Sequence, residues 1–364
     1  MAILTHRTIR YARAWLTGPE ACVEDEIMLD RDGTPVPATV VRPSGRTGPL
    51  PGWVIMHGIT RPGREHEQLV RFTRTLASCG LVAIVPDVPE WRDLHLAPHL
   101  SEPTIKAAIA GLRTTGVARD DPVGVLGFSF GAPHAIAAAG SASLRDEIGG
   151  AVGFGGYCAL ESTFRFMMTG VHSWNGREHF LEPDPYGRWI VAANYLTSVP
   201  GHESAGDVAN ALSELATHAG DTGAPSWDPS YDPKIRQLRE HVDESRRHVF
   251  DLFALPTKMP SDRKSALQMA EDLTAAALRN DPLFDVSTPL QAVDRPVHIL
   301  HGRRDHLIPF TEALRLRKAL AGTVSRVTVT RLFGHSAQDR FPLFHALWEV
   351  PKFVRALSGM LAVV

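Results

Sequence analysis

Short apolar runs alternate with helical patterns over the first 155 residues. Continuous apolar runs are typical of strands that are buried on both faces of a sheet. They lie at residues 53–56, 81–86, 123–128 and 151–154, after two shorter extended runs at 26–30 and 36–42. Amphipathic stretches that predict helices lie between them, at residues 67–78, 102–114 and 131–139. The alternation predicts an α/β fold, with a mostly parallel sheet of about eight strands flanked by helices.

Turn and capping residues stand at the ends of these elements. Asp32-Gly33 separates the first two extended runs and favours a hairpin turn. Ser101 precedes the second helical stretch as a candidate N-cap, and glycines follow the last turn of each helix at Gly80, Gly116 and Gly140. These residues support the element boundaries that the apolar pattern predicts.

The alternation stops near residue 155 and resumes near residue 296. The later elements are strands at 296–300 and 326–332 and helices at 314–320 and 343–361. Between the two parts we find no strand run. Helical faces, such as the one formed by Ile235, Leu238, Val242, Val249 and Leu252, are interrupted there by polar segments rich in Gly and Pro. The sequence predicts a core made of residues 1–155 and 293–364 and a helical insertion at 156–292.

Composition excludes several classes of protein. The chain has 364 residues, and 38 Lys and Arg against 40 Asp and Glu give a formal charge of −2. This balance lacks the positive charge expected of a nucleic-acid-binding protein, and a hydrophobic fraction of 44% is too high for a disordered chain. Three scattered cysteines form no disulfide framework, and neither a signal peptide nor a membrane span is recognisable. We therefore expect a cytoplasmic protein with no membrane or nucleic-acid partner.

The strongest chemical signal is a GxSxG pentapeptide, Gly127-Phe128-Ser129-Phe130-Gly131. It follows a predicted buried strand directly and opens an Ala-rich helix, which is the context of a nucleophile elbow. Glycines fit on both sides of Ser129 because a Cβ there would meet the neighbouring strand and helix. The N-terminus of the following helix favours developing negative charge nearby. The pattern therefore predicts Ser129 as a nucleophile.

A serine nucleophile needs a base and an orienting acid. Asp305 follows the strand predicted at 296–300, and His335 follows the strand at 326–332, so both side chains belong at the edge that presents Ser129. Their chain order, Ser, Asp, His, is that of hydrolases built on an α/β sheet. Asp285 and Asp294 remain as rival acids. The chain has 17 histidines, and none of them belongs to an HExxH motif or to a Cys/His pattern with the spacing of metal ligands. We therefore expect neither a metal ion nor another cofactor.

Backbone amides complete the predicted site. The Phe130 amide, directly after the nucleophile, is one expected donor of an oxyanion hole. The second comes from the loop after the strand at 53–56, where Gly58 allows a close approach; we expect the Ile59 amide, with Thr60 as the alternative.

Together His57-Gly58, the pentapeptide, Asp305 and Gly334-His335 resemble the α/β-hydrolase superfamily. Pro62-Gly63-Arg64 and the run at 81–89 resemble its branch of dienelactone-hydrolase-like and prolyl-oligopeptidase-like esterases. The resemblance covers residues from about 25 to 155 and from 293 to 364. It departs from dienelactone hydrolases, which carry Cys at the nucleophile position, and from dehalogenases and epoxide hydrolases, which carry Asp. Insertions after the sixth strand of this superfamily generally form a helical cap over the active site, so the resemblance implies that residues 156–292 are a cap, although they match no cap of known type.

The resemblance implies a carboxylic ester hydrolase whose small-molecule substrate forms an acyl-enzyme on Ser129. The same residues would serve a thioesterase, a C–C bond hydrolase, a peptidase or an acyltransferase, and a non-catalytic binding protein on this fold is a further alternative. A homodimer is left open. We expect the substrate to contact side chains of the core and large apolar side chains of the insertion. The expected contacts are His57, Thr60, Arg61, Phe128, Trp174 and Trp189.

Overall fold

The computed structural model of the protein describes residues 6–256, 262–320, 322–332 and 346–363. The strands in these ranges are β1 (Cys22–Arg31), β2 (Thr34–Pro43), β3 (Gly52–Met56), β4 (Val82–Pro86), β5 (Val123–Phe128), β6 (Ile148–Phe154), β7 (Val171–Trp174), β8 (Arg177–Phe180), β9 (Val297–Gly302) and β10 (Ser325–Thr330). The α-helices are α1 (His6–Thr17), α2 (Glu67–Ser78), α3 (Pro89–Arg92), α4 (Ser101–Thr114), α5 (Gly131–Ala138), α6 (Leu160–Thr169), α7 (Pro185–Tyr195), α8 (Gly206–Thr222), α9 (Asp232–His241), α10 (Arg247–Phe253), α11 (Arg263–Asn280), α12 (Ser287–Gln291), α13 (Thr311–Ala319) and α14 (Ala346–Met360).

One sheet of eight strands organises the molecule, in the order β1-β2-β4-β3-β5-β6-β9-β10. β1 and β2 form an antiparallel hairpin and β2 pairs antiparallel with β4, whereas the remaining neighbours are parallel. The predicted α/β architecture with a mostly parallel sheet is therefore confirmed. Because β5, β6, β9 and β10 are consecutive neighbours and run parallel, the loops that follow them leave the sheet at one edge.

Two layers of helices bury the two faces of the sheet. Side chains of α1, α2 and α14, among them Tyr11, Phe72 and Leu357, pack on one face. Side chains of α4, α5 and α13, such as Ile105, Ile136 and Leu316, cover the other. Every residue of β3 and β4 is buried, as their continuous apolar sequence predicts.

Among the described residues between β6 and β9 are the helices α6–α12 and the hairpin β7–β8. The expectation of no strand in this stretch is wrong. Asn175 and Gly176 join the two strands with φ of 48° and 75°, the positive values that a two-residue hairpin turn requires. The Asn175-Gly176 dipeptide was the signal for this hairpin in the sequence, whereas the four-residue strands are too short to show an alternation of apolar and polar residues. The segment from 156 to 292 is called the insertion below; its boundaries as a domain stay predictions.

Two further expectations need correction. The helical face from Ile235 to Leu252 belongs to two helices, because Val242 is extended with ψ of 136° and the Asp243 carboxylate then accepts the Ser245 amide and starts a new turn. Ser101 is not the N-cap of α4: the cap is Leu100, and Ser101 is buried in the first turn. In the described part of the chain no helix is both long and apolar enough to cross a membrane.

Candidate active site

The turn between β5 and α5 holds Ser129 in a strained backbone conformation. Its φ is +50°, in the left-handed region that costs a residue with a side chain about 1–2 kcal/mol. The turn is fixed by two hydrogen bonds: the Ser129 amide donates to the Phe154 carbonyl at 2.7 Å, and the Ser129 carbonyl accepts the Ala132 amide at 3.0 Å. The side chain of Ser129 is half-buried rather than packed in the core. Strain retained at such a position is typical of a functional residue.

Glycines make this turn sterically feasible. A Cβ on Gly127 would collide with the Gly131 carbonyl oxygen and lie 2.7 Å from the Ala132 Cα, and a Cβ on Gly131 would lie 2.6 Å from the His57 carbonyl oxygen. A Cβ on Gly58 would lie 3.0 Å from the Ser129 Cβ. The loop after β3 therefore runs directly against Ser129, as the sequence predicts for the loop that carries the second oxyanion donor.

This loop, residues 57–62 and called the β3 loop below, is shaped by His57. The buried ring accepts the Val88 amide at Nε2 over 3.0 Å, so its proton is on Nδ1, which donates to the Gly58 carbonyl at 2.7 Å. Both ring nitrogens are occupied by backbone groups, which favours a role in loop structure over the predicted substrate contact. Neither the Ile59 nor the Phe130 amide has an acceptor among the described residues.

Asp305 lies in the loop after β9, two strands from Ser129. Its carboxylate is completely buried, and Oδ1 accepts the amides of Leu307 at 3.0 Å and Ile308 at 2.9 Å. The buried His301 ring lies beneath it: Nε2 is 2.8 Å from the Ile308 carbonyl oxygen and 3.4 Å from Asp305 Oδ2. The carboxylate is thus fixed from below and from within its own loop.

The two rival acids lie in different surroundings. Asp285 is exposed and accepts the Ser287 amide, and Asp294 is 66% exposed and pairs with Arg295 at 3.3 Å. His335 lies outside the described residues, in the segment that follows β10, the neighbour of β9. Its assignment as the base stays a prediction.

A buried carboxylate beside the β3 loop was not predicted from the sequence. Asp87 follows β4, and its Oδ2 accepts Arg92 Nη1 at 2.8 Å. Burial opposes ionisation of Asp87, and the Arg92 guanidinium that pairs with this carboxylate favours its charged form. The His57 ring is 3.5 Å away and, with its proton on Nδ1, donates nothing to this carboxylate. An acidic residue directly after a buried strand was the signal in the sequence.

The insertion contacts the loop after β4, residues 87–97, which is called the β4 loop below. Asn194 of α7 donates to the Leu94 carbonyl at 3.0 Å and accepts the Leu96 amide at 3.1 Å. Leu94 has a φ of +62°, so this clamp holds a second strained residue. From the same loop, the Trp91 ring packs edge-on against His57 and Phe130 at 5.5 and 5.1 Å.

Arg61 also joins the insertion to the core. Its Nε is 2.9 Å from the Asp221 carboxylate in α8, and its Nη1 is 3.1 Å from the Asp93 carboxylate in the β4 loop. Two carboxylates therefore already neutralise the side chain that we expected to meet an anionic substrate group. These contacts favour a role for Arg61 as a bridge between the insertion and the β4 loop.

The other expected substrate contacts are dispersed. Phe128 packs against Phe72 and Phe154, at centroid distances of 5.3 and 5.1 Å, under α2. Trp189 is 1% exposed and donates its indole N–H to the Phe253 carbonyl inside the insertion. Trp174 lines a groove of about 360 Å³ with Arg315 and Lys318, and Ser129 does not line this groove. Thr60 is half-buried in the β3 loop. Of these four, Phe128 adjoins Ser129 in the chain but packs its ring against Phe72, and Thr60 belongs to the β3 loop that runs against Ser129.

No group of three or more His, Cys, Asp or Glu side chains placed to hold a metal ion occurs within the described ranges. Around Ser129 the structure places the β3 loop at Gly58, the first turn of α5 and the end of β6 at Phe154.

Comparison with known proteins identifies the fold. No protein-family model matches the chain, and no curated protein does. Acylaminoacyl peptidase of Pyrococcus horikoshii matches at 10% identity with a TM-score of 0.50, over 94% of this chain and 41% of the peptidase. Est1E of Butyrivibrio proteoclasticus matches at 14% identity with a TM-score of 0.48, over 93% and 99% of the two chains. Brefeldin A esterase, a bacterial homologue of human hormone-sensitive lipase, matches at 18% identity with a TM-score of 0.49, over 99% of this chain and 85% of the esterase.

The chain spans about two fifths of the peptidase chain that it matches. At these identities the similarity shows the architecture: the protein has the α/β-hydrolase fold, as its sheet order and the strand–turn–helix around Ser129 also indicate.

Gly127→Ala tests the steric account of the turn. The added Cβ meets backbone atoms of Gly131 and Ala132, so we expect a loss of more than about 2 kcal/mol in the free energy of unfolding. Gly206→Ala is the matched control, because nothing lies within 4 Å of its Cβ position in the first turn of α8. Urea unfolding of both variants measures the difference; equal stability of the two would contradict the account.

Proposed function

We propose that this protein is a serine hydrolase that cleaves carboxylic esters of small or medium acyl groups, with Ser129 as nucleophile. The observation that carries the proposal is the backbone of Ser129. A serine with φ of +50° is held between a buried strand and a helix, where glycines bring three backbone segments together. A serine of purely structural function would not need a strained conformation that glycine adopts more easily.

In the proposed reaction Ser129 Oγ attacks the carbonyl carbon of the ester while His335 accepts its proton. The carbonyl oxygen becomes an oxyanion, which the Ile59 and Phe130 amides and the N-terminus of α5 stabilise. The tetrahedral intermediate then expels the alcohol, which takes the proton from His335, and leaves an acyl-enzyme. Water activated by His335 attacks the acyl group in the same way and releases the carboxylic acid and the free Ser129 hydroxyl.

Asp305 is the orienting acid in this mechanism. Its burial and its two backbone donors support this choice over the exposed Asp285 and Asp294. A fixed carboxylate holds the imidazole in one tautomer and stabilises the imidazolium that forms during the reaction.

Ser129→Ala should lower kcat for p-nitrophenyl acetate by about 10⁶-fold, since removing the nucleophile of such a triad costs rates of this order. Ser213→Ala, on the exposed face of α8, removes a hydroxyl without touching the site and should keep the wild-type rate. Steady-state kinetics of the two purified variants measures this. Turnover by Ser129→Ala within tenfold of wild type would refute the proposed nucleophile.

Asp305→Asn keeps the shape of the side chain and an oxygen for the two loop amides but removes the negative charge. We expect kcat to fall by about 10⁴-fold, because the base loses its correct tautomer and its stabilising partner. Asp294→Asn, which neutralises an exposed rival, should change kcat by less than about twofold. If the losses were reversed between the two variants, Asp294 rather than Asp305 would be the acid.

A further inference from the structure

We propose that Arg61 is a positioning residue through which the insertion holds the β3 loop, and with it the Ile59 amide, in the geometry that stabilises the oxyanion. This inference rests on the function proposed above and concerns the same site. It assigns to the Arg61–Asp221 pair a role in turnover that the stability of the fold does not require.

Arg61 is fixed by contacts that run in three directions. Nε donates to Asp221 Oδ1 at 2.9 Å, and Nη1 donates to the Arg92 carbonyl at 3.0 Å and to Asp93 Oδ1 at 3.1 Å. In return Arg92 Nε donates to the Arg61 carbonyl at 3.2 Å. The reciprocal bonds of the two arginines fix both the side chain and the backbone of Arg61. Its backbone lies two residues from the Ile59 amide, so a shift at Arg61 is transmitted to that amide.

The insertion is shaped to receive this side chain. Gly220, in the last turn of α8, leaves a notch for the Arg61 stem: a Cβ there would lie 2.5 Å from Arg61 Cγ and 3.0 Å from the Tyr186 hydroxyl oxygen. Asp221 follows directly and supplies the carboxylate. The arginine therefore packs its stem against α8 and places its guanidinium between that helix and the β4 loop.

The ion pairs of Arg61 should affect the rate of turnover more than the stability of the fold. The side chains of Arg61, Asp93 and Asp221 are 29%, 66% and 55% exposed, and exposed ion pairs contribute little to stability. A small displacement of an oxyanion donor has a much larger effect, because one such donor is worth about 10²- to 10³-fold in kcat. Loss of the pair should therefore change the rate without a matching change in unfolding.

The test compares two carboxylates of α8. Asp221 and Glu214 are similarly exposed, at 55% and 58%, and each pairs with one basic side chain, but the partner of Glu214 is Lys234 of the insertion. We expect Asp221→Ala to lower kcat for p-nitrophenyl acetate by about tenfold with KM within twofold, and Glu214→Ala to change neither. The midpoints of thermal unfolding should agree within about 2 °C.

A double-mutant cycle links the effect to Arg61. In an Arg61→Gln background, Asp221→Ala should have no further effect on kcat, because the partner is already gone. Equal losses in both backgrounds, a loss confined to KM, or equal kcat for Asp221→Ala and Glu214→Ala would overturn the role of Arg61.

Hydrogen exchange supplies a readout that does not depend on catalysis. Asp221→Ala should speed amide exchange in the peptide that contains residues 57–62, whereas Glu214→Ala should leave it at the wild-type rate; unchanged exchange in both would count against the proposal.

The hypothesis that Ser129 is the nucleophile and the hypothesis that Arg61 positions the β3 loop fail in different ways. If the proposed nucleophile is wrong, Ser129→Ala stays active, whereas if only the role of Arg61 is wrong, Ser129→Ala is inactive and Asp221→Ala behaves as wild type.

Discussion

The structure depends on the close approach of backbone segments at Ser129, where side chains have no room. Glycines at 58, 127, 131 and 156 each face atoms that a Cβ would meet at 3.0 Å or less. This contact lets β5 turn sharply into α5, brings the β3 loop against Ser129 and aims the start of the helix at the same point. The strain of the turn is tolerated because the sheet on one side and α5 on the other leave the backbone no alternative.

The insertion is tied to both sides of this turn by polar contacts. On one side Arg61 and Asn194 join it to the β3 and β4 loops. On the other, His306, the neighbour of Asp305, lies 2.6 Å through Nδ1 from the Glu182 carbonyl oxygen, and its own carbonyl accepts the Asp184 amide. The loops that would carry the oxyanion donors and the orienting acid are therefore both set partly by residues that lie outside the core.

Much of the core could be predicted from the sequence because its signals are local. The run at 123–128 and the helix at 67–78 match β5 and α2 residue for residue, since a buried strand and an amphipathic helix are each defined by their own apolar spacing. Asp305 could be predicted as the orienting acid because it follows the strand predicted at 296–300. The pairing of Arg61 with Asp221 and the clamp of Asn194 on Leu94 were not predictable, because these contacts join residues that are 160 and 100 positions apart in the chain. The β7–β8 hairpin was missed although Asn175-Gly176 was visible.

The central claim, that Ser129 is an activated nucleophile, is tested most directly by covalent labelling. A fluorophosphonate transfers its phosphonyl group to an activated serine hydroxyl and releases fluoride, so that mass spectrometry of the intact chain and of its peptides gives both stoichiometry and site. The account predicts one phosphonyl group per chain, attached to the peptide at Ser129. Absence of labelling, or labelling of a different serine with Ser129 unmodified, would contradict it.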